Sequence, residues 1–313
     1  MPRSLLILAA LFPVLVGHAS SQETLRWKFN AGDELRYAVV QTTDLALTSP
    51  GGGAETKTRQ AMDLVWKVES VDGEGAARVK CEVERVQMTL EASGGQSFEF
   101  DTDSPEPPEG LAALVAPAFK QLVTDGFTAT FSADGELSDV EASADLLQAV
   151  SNLPGGGGSA GAEALRQLAA PATQPLPAEP VAAGGAWTHT SGNAAVAMMG
   201  KVLFETKYTY AEQRDVDGKP LAVLTPAFTV TTGPDAAAPQ SGKVEARGAE
   251  GELLFDAEAG RLASSDVTQK MGIELTVGGS TVSGDIAQQT VVTADEKCEP
   301  LVTEGAAAAT SAE

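Results

Sequence analysis

Two histidines, two cysteines and an aromatic content of 5% leave this 313-residue sequence short of the side chains from which many reaction centres are made. A histidine-based zinc site or a family of disulfides cannot be assembled from so few ligands. Basic residues are also scarce, with 21 Lys+Arg against 43 Asp+Glu and a formal charge of -22. Nucleic acid is therefore excluded as a partner, since phosphate binding needs a basic face that releases counterions. Past residue 19 no apolar run approaches the roughly 18 residues needed to cross a bilayer, so no transmembrane segment is expected in the mature chain.

One apolar run stands at the start. Arg3 precedes Leu5 to Val16, and the small residues Gly17 and Ala19 sit at the -3 and -1 positions of a cleavage site after Ala19. This is the pattern of a secretory signal, which implies a periplasmic or extracellular protein; a retained membrane helix is disfavoured because the run is short. Cleavage leaves a single histidine, His189.

What is abundant is glycine and proline, 32 and 17 residues, spaced as turn signals between alternating runs. Met62, Leu64, Trp66 and Val68 fall on one parity while Asp63, Lys67 and Glu69 fall on the other. Val202, Phe204, Tyr208 and Tyr210 repeat this, as do Met271, Ile273, Leu275 and Val277. Such alternation marks sheet strands with one covered face. Between Arg78 and Leu90 the apolar parity slips after Val83 to Val86, predicting a β-bulge near Glu84 and Arg85. Asp72-Gly73, Gly94-Gly95, Asp134-Gly135, Asp217-Gly218 and Gly278-Gly279 read as hairpin turns. Helical spacing is confined to Gly110–Thr124, interrupted by Pro117, to a segment capped by Ser143 that runs to about Val150, and to Ala162–Ala169.

The fold expected is mainly β (α+β): long antiparallel hairpins in two similar curved-sheet lobes with a few short helices inserted between them. The divisions expected are a signal peptide over 1–19, a β lobe with inserted helices over 20–150, a helical and Pro/Gly linker over 151–182, a second β lobe over 183–298 and a disordered tail over 299–313. The lobes share anchors in the same order. Phe29, Gly32, Leu35 and Tyr37 match Val181, Gly184, Trp187 and His189; Val71-Asp72-Gly73 matches Val216-Asp217-Gly218; and Phe131, Gly135, Leu137 match Phe255, Gly260, Leu262. Duplication of a β unit and convergence of turn-flanked strands both account for this.

Those same anchors, with Leu176-Pro177, Pro180-Val181 and Gly251 to Asp256, resemble an uncharacterised family of secreted bacterial β-rich proteins, a domain of unknown function. The architecture is also weakly similar to the half-barrels of periplasmic lipoprotein carriers. Because the shared motifs are structural, the resemblance implies a fold and an exported setting but no catalytic residue.

Each candidate motif has a plainer reading. Gly157-Gly158-Ser159-Ala160-Gly161 matches a nucleophile elbow in form, yet it lies in a glycine run with no preceding strand and reads as linker. Asp101, Asp103, Glu106 and Glu109 could offer oxygens to calcium, but Pro105, Pro107 and Pro108 stiffen the segment and a solvated turn is favoured. Cys81 and Cys298 could pair as a disulfide in an oxidising compartment, or Cys81 could be a buried thiol while Cys298 frays with the tail. Trp187 and His189 should share one strand face, where a packing tryptophan with a satisfied histidine is preferred to a ligand-contacting pair. No cofactor or metal is expected. The function expected is that of a non-enzymatic envelope binding or structural protein whose partner is an apolar ligand or an envelope protein. The alternatives are a glycosidase-like hydrolase using two carboxylates and an assembly module acting through strand edges.

Overall fold

The structure is a computed structural model that describes residues 22–153, 161–193, 202–232, 242–277 and 280–301. The proposed signal, the Gly155–Ser159 run, the Gly278-Gly279 turn and the tail past Leu301 lie outside those residues. As expected, the fold is mainly β; its strands form one large curved antiparallel sheet, with three short α-helices among the described residues. The first half contributes β1 (Glu34–Ser49), β2 (Gly52–Val71), β3 (Ala77–Ala92), β4 (Gln96–Asp101), β5 (Phe127–Phe131) and β6 (Leu137–Glu141). The second contributes β7 (Ala186–Asn193), β8 (Val202–Val216), β9 (Lys219–Thr232), β10 (Gly242–Asp256), β11 (Arg261–Val277) and β12 (Ser280–Ala294). Their spatial order is β6-β5-β3-β2-β1-β12-β11-β10-β9-β8-β7, with β4 beside β3. Each half runs consecutively outward from the β1–β12 seam, where Tyr37 faces Ala294 and Thr48 faces Ser283.

The alternation read in the sequence becomes two faces. Leu35, Tyr37 and Val39 on β1, Met62, Leu64, Trp66 and Val68 on β2, and Val79, Cys81 and Val83 on β3 are buried on the inner face. Removing such side chains from water is the main stabilising term, at about 1.5–3 kcal/mol each. The predicted bulge is present: Arg85 faces Asp63 and Val83 faces Leu64, leaving Glu84 as the extra residue that resets the parity to Val86 and Met88.

The inner face of the first half is covered by α1 (Ala112–Asp125), α2 (Ala144–Ser151) and α3 (Gly161–Ala169). Helix α1 passes through Pro117 without ending and buries Val115, Phe119 and Leu122. Helix α2 starts where its cap was expected, with the Ser143 hydroxyl accepting the Leu146 N–H at 3.1 Å.

The Pro-rich stretch after α3 is a strap packed into the core. The Trp27 indole N–H donates to Gln174 O at 3.0 Å and the Trp187 indole N–H donates to Pro175 O at 2.9 Å. Leu176 N–H donates to Asp134 O at 2.8 Å, the Arg26 guanidinium donates to Pro177 O and Ala178 O, and Val181 exchanges both backbone bonds with Glu23. Trp27 also centres an aromatic cluster, with ring centroids 5.9 Å from Phe29, 6.1 Å from Trp66 and 5.6 Å from Phe255.

The repeated anchors take matching backbone roles. Gly32 and Gly184 both have positive φ, and their N–H groups donate to Val68 O and Tyr210 O on the adjacent strand.

The disulfide does not form. Cys81 and Cys298 are both free and buried, on opposite faces of the sheet. Cys81 belongs to the inner core, whereas Cys298 lies on the outer face against Ala38 and Ala61. The C-terminal segment reaches that face because Cys298 N–H donates to Asp63 Oδ1 at 2.7 Å, Leu301 N–H to Gln87 Oε1 at 2.8 Å and Lys297 Nζ to Glu84 Oε2 at 2.8 Å. Lys297, then Arg36, holds the Glu84 carboxyl below the usual glutamate range. Burial pushes the Cys298 thiol up to about 12 and that of Cys81 higher still.

Two outcomes follow from this packing. Gly135 has φ +85° and lies against Gln174 O and the Trp27 indole, so a Cβ there meets the strap. Gly135→Ala should cost about 2–5 kcal/mol from left-handed strain and overpacking, read as a lowered denaturant midpoint. A midpoint within error of wild type would contradict the strap contact. For the thiols, denatured chain kept free of reductant should titrate two thiols. In the native protein both should react slowly, and Glu84→Gln with Lys297→Ala should accelerate labelling of Cys298 alone.

Candidate functional site

The described residues of the second half contain no helix beneath their strands, and a cleft of ≈ 690 Å³ lined by these strands, the strap and α3 remains on the inner face. One wall is apolar. Phe204 and Tyr208 on β8, Phe228 on β9, Leu253 on β10 and Val267 and Met271 on β11 present side chains on the core parity of their strands. Phe204 and Phe228 stack with centroids 6.2 Å apart and planes 21° apart. Phe228 and Leu253 are buried, while Phe204, Val267 and Met271 are half-buried and keep apolar surface toward the cleft.

The facing wall is made of amides and hydroxyls. Gln41 on β1 faces Thr290 on β12, and Gln288 on β12 faces Gln269 on β11, so these side chains stand side by side across three adjacent strands. Residues directly opposite on one sheet face have Cβ atoms about 4.5–5.5 Å apart, close enough for one ligand to touch several. The third side is built from α3 and the strap and carries Glu163, Arg166 and Gln174. Arg166 Nη1 and Glu163 Oε2 pair at 3.2 Å.

The structure divides the Trp187 and His189 pair. Trp187 packs, stacked on Tyr208 at 5.7 Å with its indole N–H on the strap, whereas His189, two residues along the same face, lines the cleft. Tyr208 also lines it, and burial pushes its phenol up to about 12. Ser159 is outside the described residues. Of the acidic cluster, Asp101 receives the Arg85 guanidinium and Asp103 lies 3.6 Å from Arg85 Nε. Among the described residues no group of three or more His, Cys, Asp or Glu is placed to hold a metal ion.

A second depression, of ≈ 610 Å³, lies at the far end of the long hairpins. Its cations are paired, Lys57 with Asp44, Arg247 with Asp285 and Lys270 with Glu250, while Glu55 and Glu91 add further negative charge to its lining.

The amide row was missed in the sequence, although it left a signal. Gln41 follows Val39 on the core parity of β1, and Gln269 falls between Val267 and Met271 on that of β11. A polar residue on an otherwise apolar parity marks a face that is not packed shut.

Residues 74–217, somewhat under half of the chain, match the model of a family of unknown function (DUF6263). The resemblance drawn from the anchors therefore leads to a family of unknown function. No curated protein matches in sequence. A lipovitellin structure described by its lipid–protein interactions is similar at 11% identity and a TM-score of 0.51, over 88% of this chain and 26% of that one. The chain thus spans about a quarter of that relative, and the likeness speaks to fold alone. DynF of the dynemicin biosynthesis pathway of Micromonospora chersina matches at 9% identity and a TM-score of 0.21, covering 92% of each chain. A putative outer membrane lipoprotein-sorting protein domain from Vibrio parahaemolyticus matches at 8% identity and a TM-score of 0.14, over 88% of this chain and 89% of that one. The likeness to lipoprotein carriers is accordingly weak, as expected.

The three tyrosines give a direct check on how closed this face is. Tyr37, Tyr208 and Tyr210 all have phenols raised above 10 by burial. A raised phenol pKa stabilises the fold fully below the unfolded value of 10, and that stability is lost as the pH rises through the folded value, about 12 for Tyr208. Ultraviolet titration should show tyrosine ionisation displaced to higher pH in the native protein than in the denatured chain, and Tyr208→Phe should reduce the loss of stability between 10 and 12.

Proposed function

We propose that this is an exported, non-enzymatic binding protein that holds an apolar ligand in the cleft on its inner sheet face. Export rests on the signal pattern over 1–19. The binding reading rests on one observation: half-buried Phe204, Val267 and Met271 stand open to a cleft of ≈ 690 Å³ on a face whose other half is covered by helices. A concave pocket with apolar walls and a few convergent polar groups is the usual form of a small-molecule site. Lipovitellin, similar in fold, is described by its lipid–protein interactions, which is in keeping with an apolar occupant here. No helix among the described residues is long and apolar enough to cross a membrane.

The hydrolase alternative would draw on Glu136 and Glu163, the carboxylates lining the cleft. Glu163 is engaged in an ion pair with Arg166 at 3.2 Å, so the cleft does not present two free carboxylates flanking a scissile bond.

Titration of an uncharged polarity-sensitive dye such as 1-aminoanthracene into the mature chain should give saturable binding at one site. Phe204→Asp, at a half-buried wall position, should weaken it by more than about tenfold, with the circular dichroism spectrum unchanged. Absence of saturable binding, or full binding by Phe204→Asp, would overturn the assignment.

A further inference from the structure

The lining of the cleft also narrows the class of its occupant, and this step rests on the reading of the cleft as an apolar-ligand site. We propose that the occupant is an electrically neutral amphiphile, with an ester- or hydroxyl-bearing head on the amide row and its apolar chain against the Phe204–Phe228 wall, and that fatty carboxylates are discriminated against.

The walls of the cleft differ in what they can donate and accept. Gln41, Gln269 and Gln288 each carry two donors and a carbonyl acceptor, and Thr290 adds a hydroxyl of both kinds. Register extends this chemistry into β2, where Gln60 faces Gln41 and Thr58 faces Thr43, itself beside Gln288. A head group with both acceptors and donors, such as a glycerol ester, matches such a row on both counts. A carboxylate offers acceptors alone, so it can use the amide N–H donors but supplies no donor to the amide carbonyls of the row.

Charge decides the rest. Taking an ionised carboxylate out of water is costly unless a cation pairs with it. No lysine or arginine occupies the amide row, although one residue in five of this chain is charged. Arg166, the cation on the roof of the cleft, is paired with Glu163, and Glu136 adds further negative charge there. His189 is on β7 opposite Thr206, at the far wall, several strands from the row. The formal charge of -22 repels anions at longer range as well.

Calorimetric titration of the mature chain with monoolein and with oleate tests this. The chain length is then constant and only the head differs. Both are used below their aggregation concentrations, at a pH where the carboxylate is ionised. Monoolein should bind at least about tenfold more tightly than oleate. Gln288→Lys, at a half-buried position that tolerates a charge, should raise oleate affinity about tenfold and change monoolein less. Gln269→Lys provides an independent second position with the same expectation. Oleate binding as tightly as monoolein, or both lysine variants leaving the ratio untouched, would overturn the neutral-head assignment while the cleft remained a binding site. Failure of the chain to bind the uncharged dye and both lipids would instead remove the cleft assignment, and this inference with it.

Discussion

Two indole N–H groups on successive carbonyls hold this molecule in its shape. Trp27, ahead of the central strand β1, and Trp187, on the edge strand β7, bond Gln174 O and Pro175 O, while Leu176 N–H bonds Asp134 O beside the other edge. Because β6 and β7 are opposite edges of the sheet and share no ladder, the strap between them is what ties the edges' flanks together. Each bond contributes only about 0.5–1.5 kcal/mol net, but a buried carbonyl left unmade costs about 1–3 kcal/mol. The geometry is therefore strongly specified even where the net gain is small. Arg26, on Pro177 O and Ala178 O, and the Glu23–Val181 bridge extend the same hold along the strap.

The strap also explains how a chain with so few aromatics keeps a core. Trp27, Phe29, Tyr37, Trp66, Phe131 and Phe255 are concentrated around it in stacked, tilted and edge-to-face pairs. These rings come from both halves, so the two halves share one core across the β1–β12 seam. Gly135 is part of the same arrangement, since the close approach of Gln174 O and the Trp27 indole leaves no room for a Cβ.

Much of the sheet was legible in the sequence because period-2 patterning is local. The bulge at Glu84, the hairpin turn at Asp217-Gly218 and the Ser143 cap each depend on residues a few positions apart. The strap was not legible: Thr173 to Pro177 has no period, and its indole partner Trp27 is 147 residues from Gln174. Proline-rich sequence reads as a linker because nothing within it reports what will bond its carbonyls. The cysteines show the same limit. Cys81 announces its face through the parity of β3, but Cys298 lies beyond the last strand, and its face depends on Asp63 and Gln87 capturing the C-terminal backbone. The cleft was legible only in part. Its apolar wall was read as packed core, since parity shows which way a side chain points and not whether anything covers it.

That last distinction accounts for where the cleft lies. Strands run outward from the β1–β12 seam in both halves, and the anchor glycines Gly32 and Gly184 make the same kind of backbone bond in each. The helices are not symmetric: α1 packs on the first half, buried against Phe100 of β4 through Phe119, and the second half has no counterpart among its described residues. A curved sheet that is filled on one side of its seam and unfilled on the other must either collapse or leave a hollow. Stacked Phe204 and Phe228 and the strap bonded to Trp187 brace the unfilled side, and so the hollow persists. Amides on the core parity of β1, β11 and β12 then cost little, because they face a wet cleft where they can bond water or a ligand.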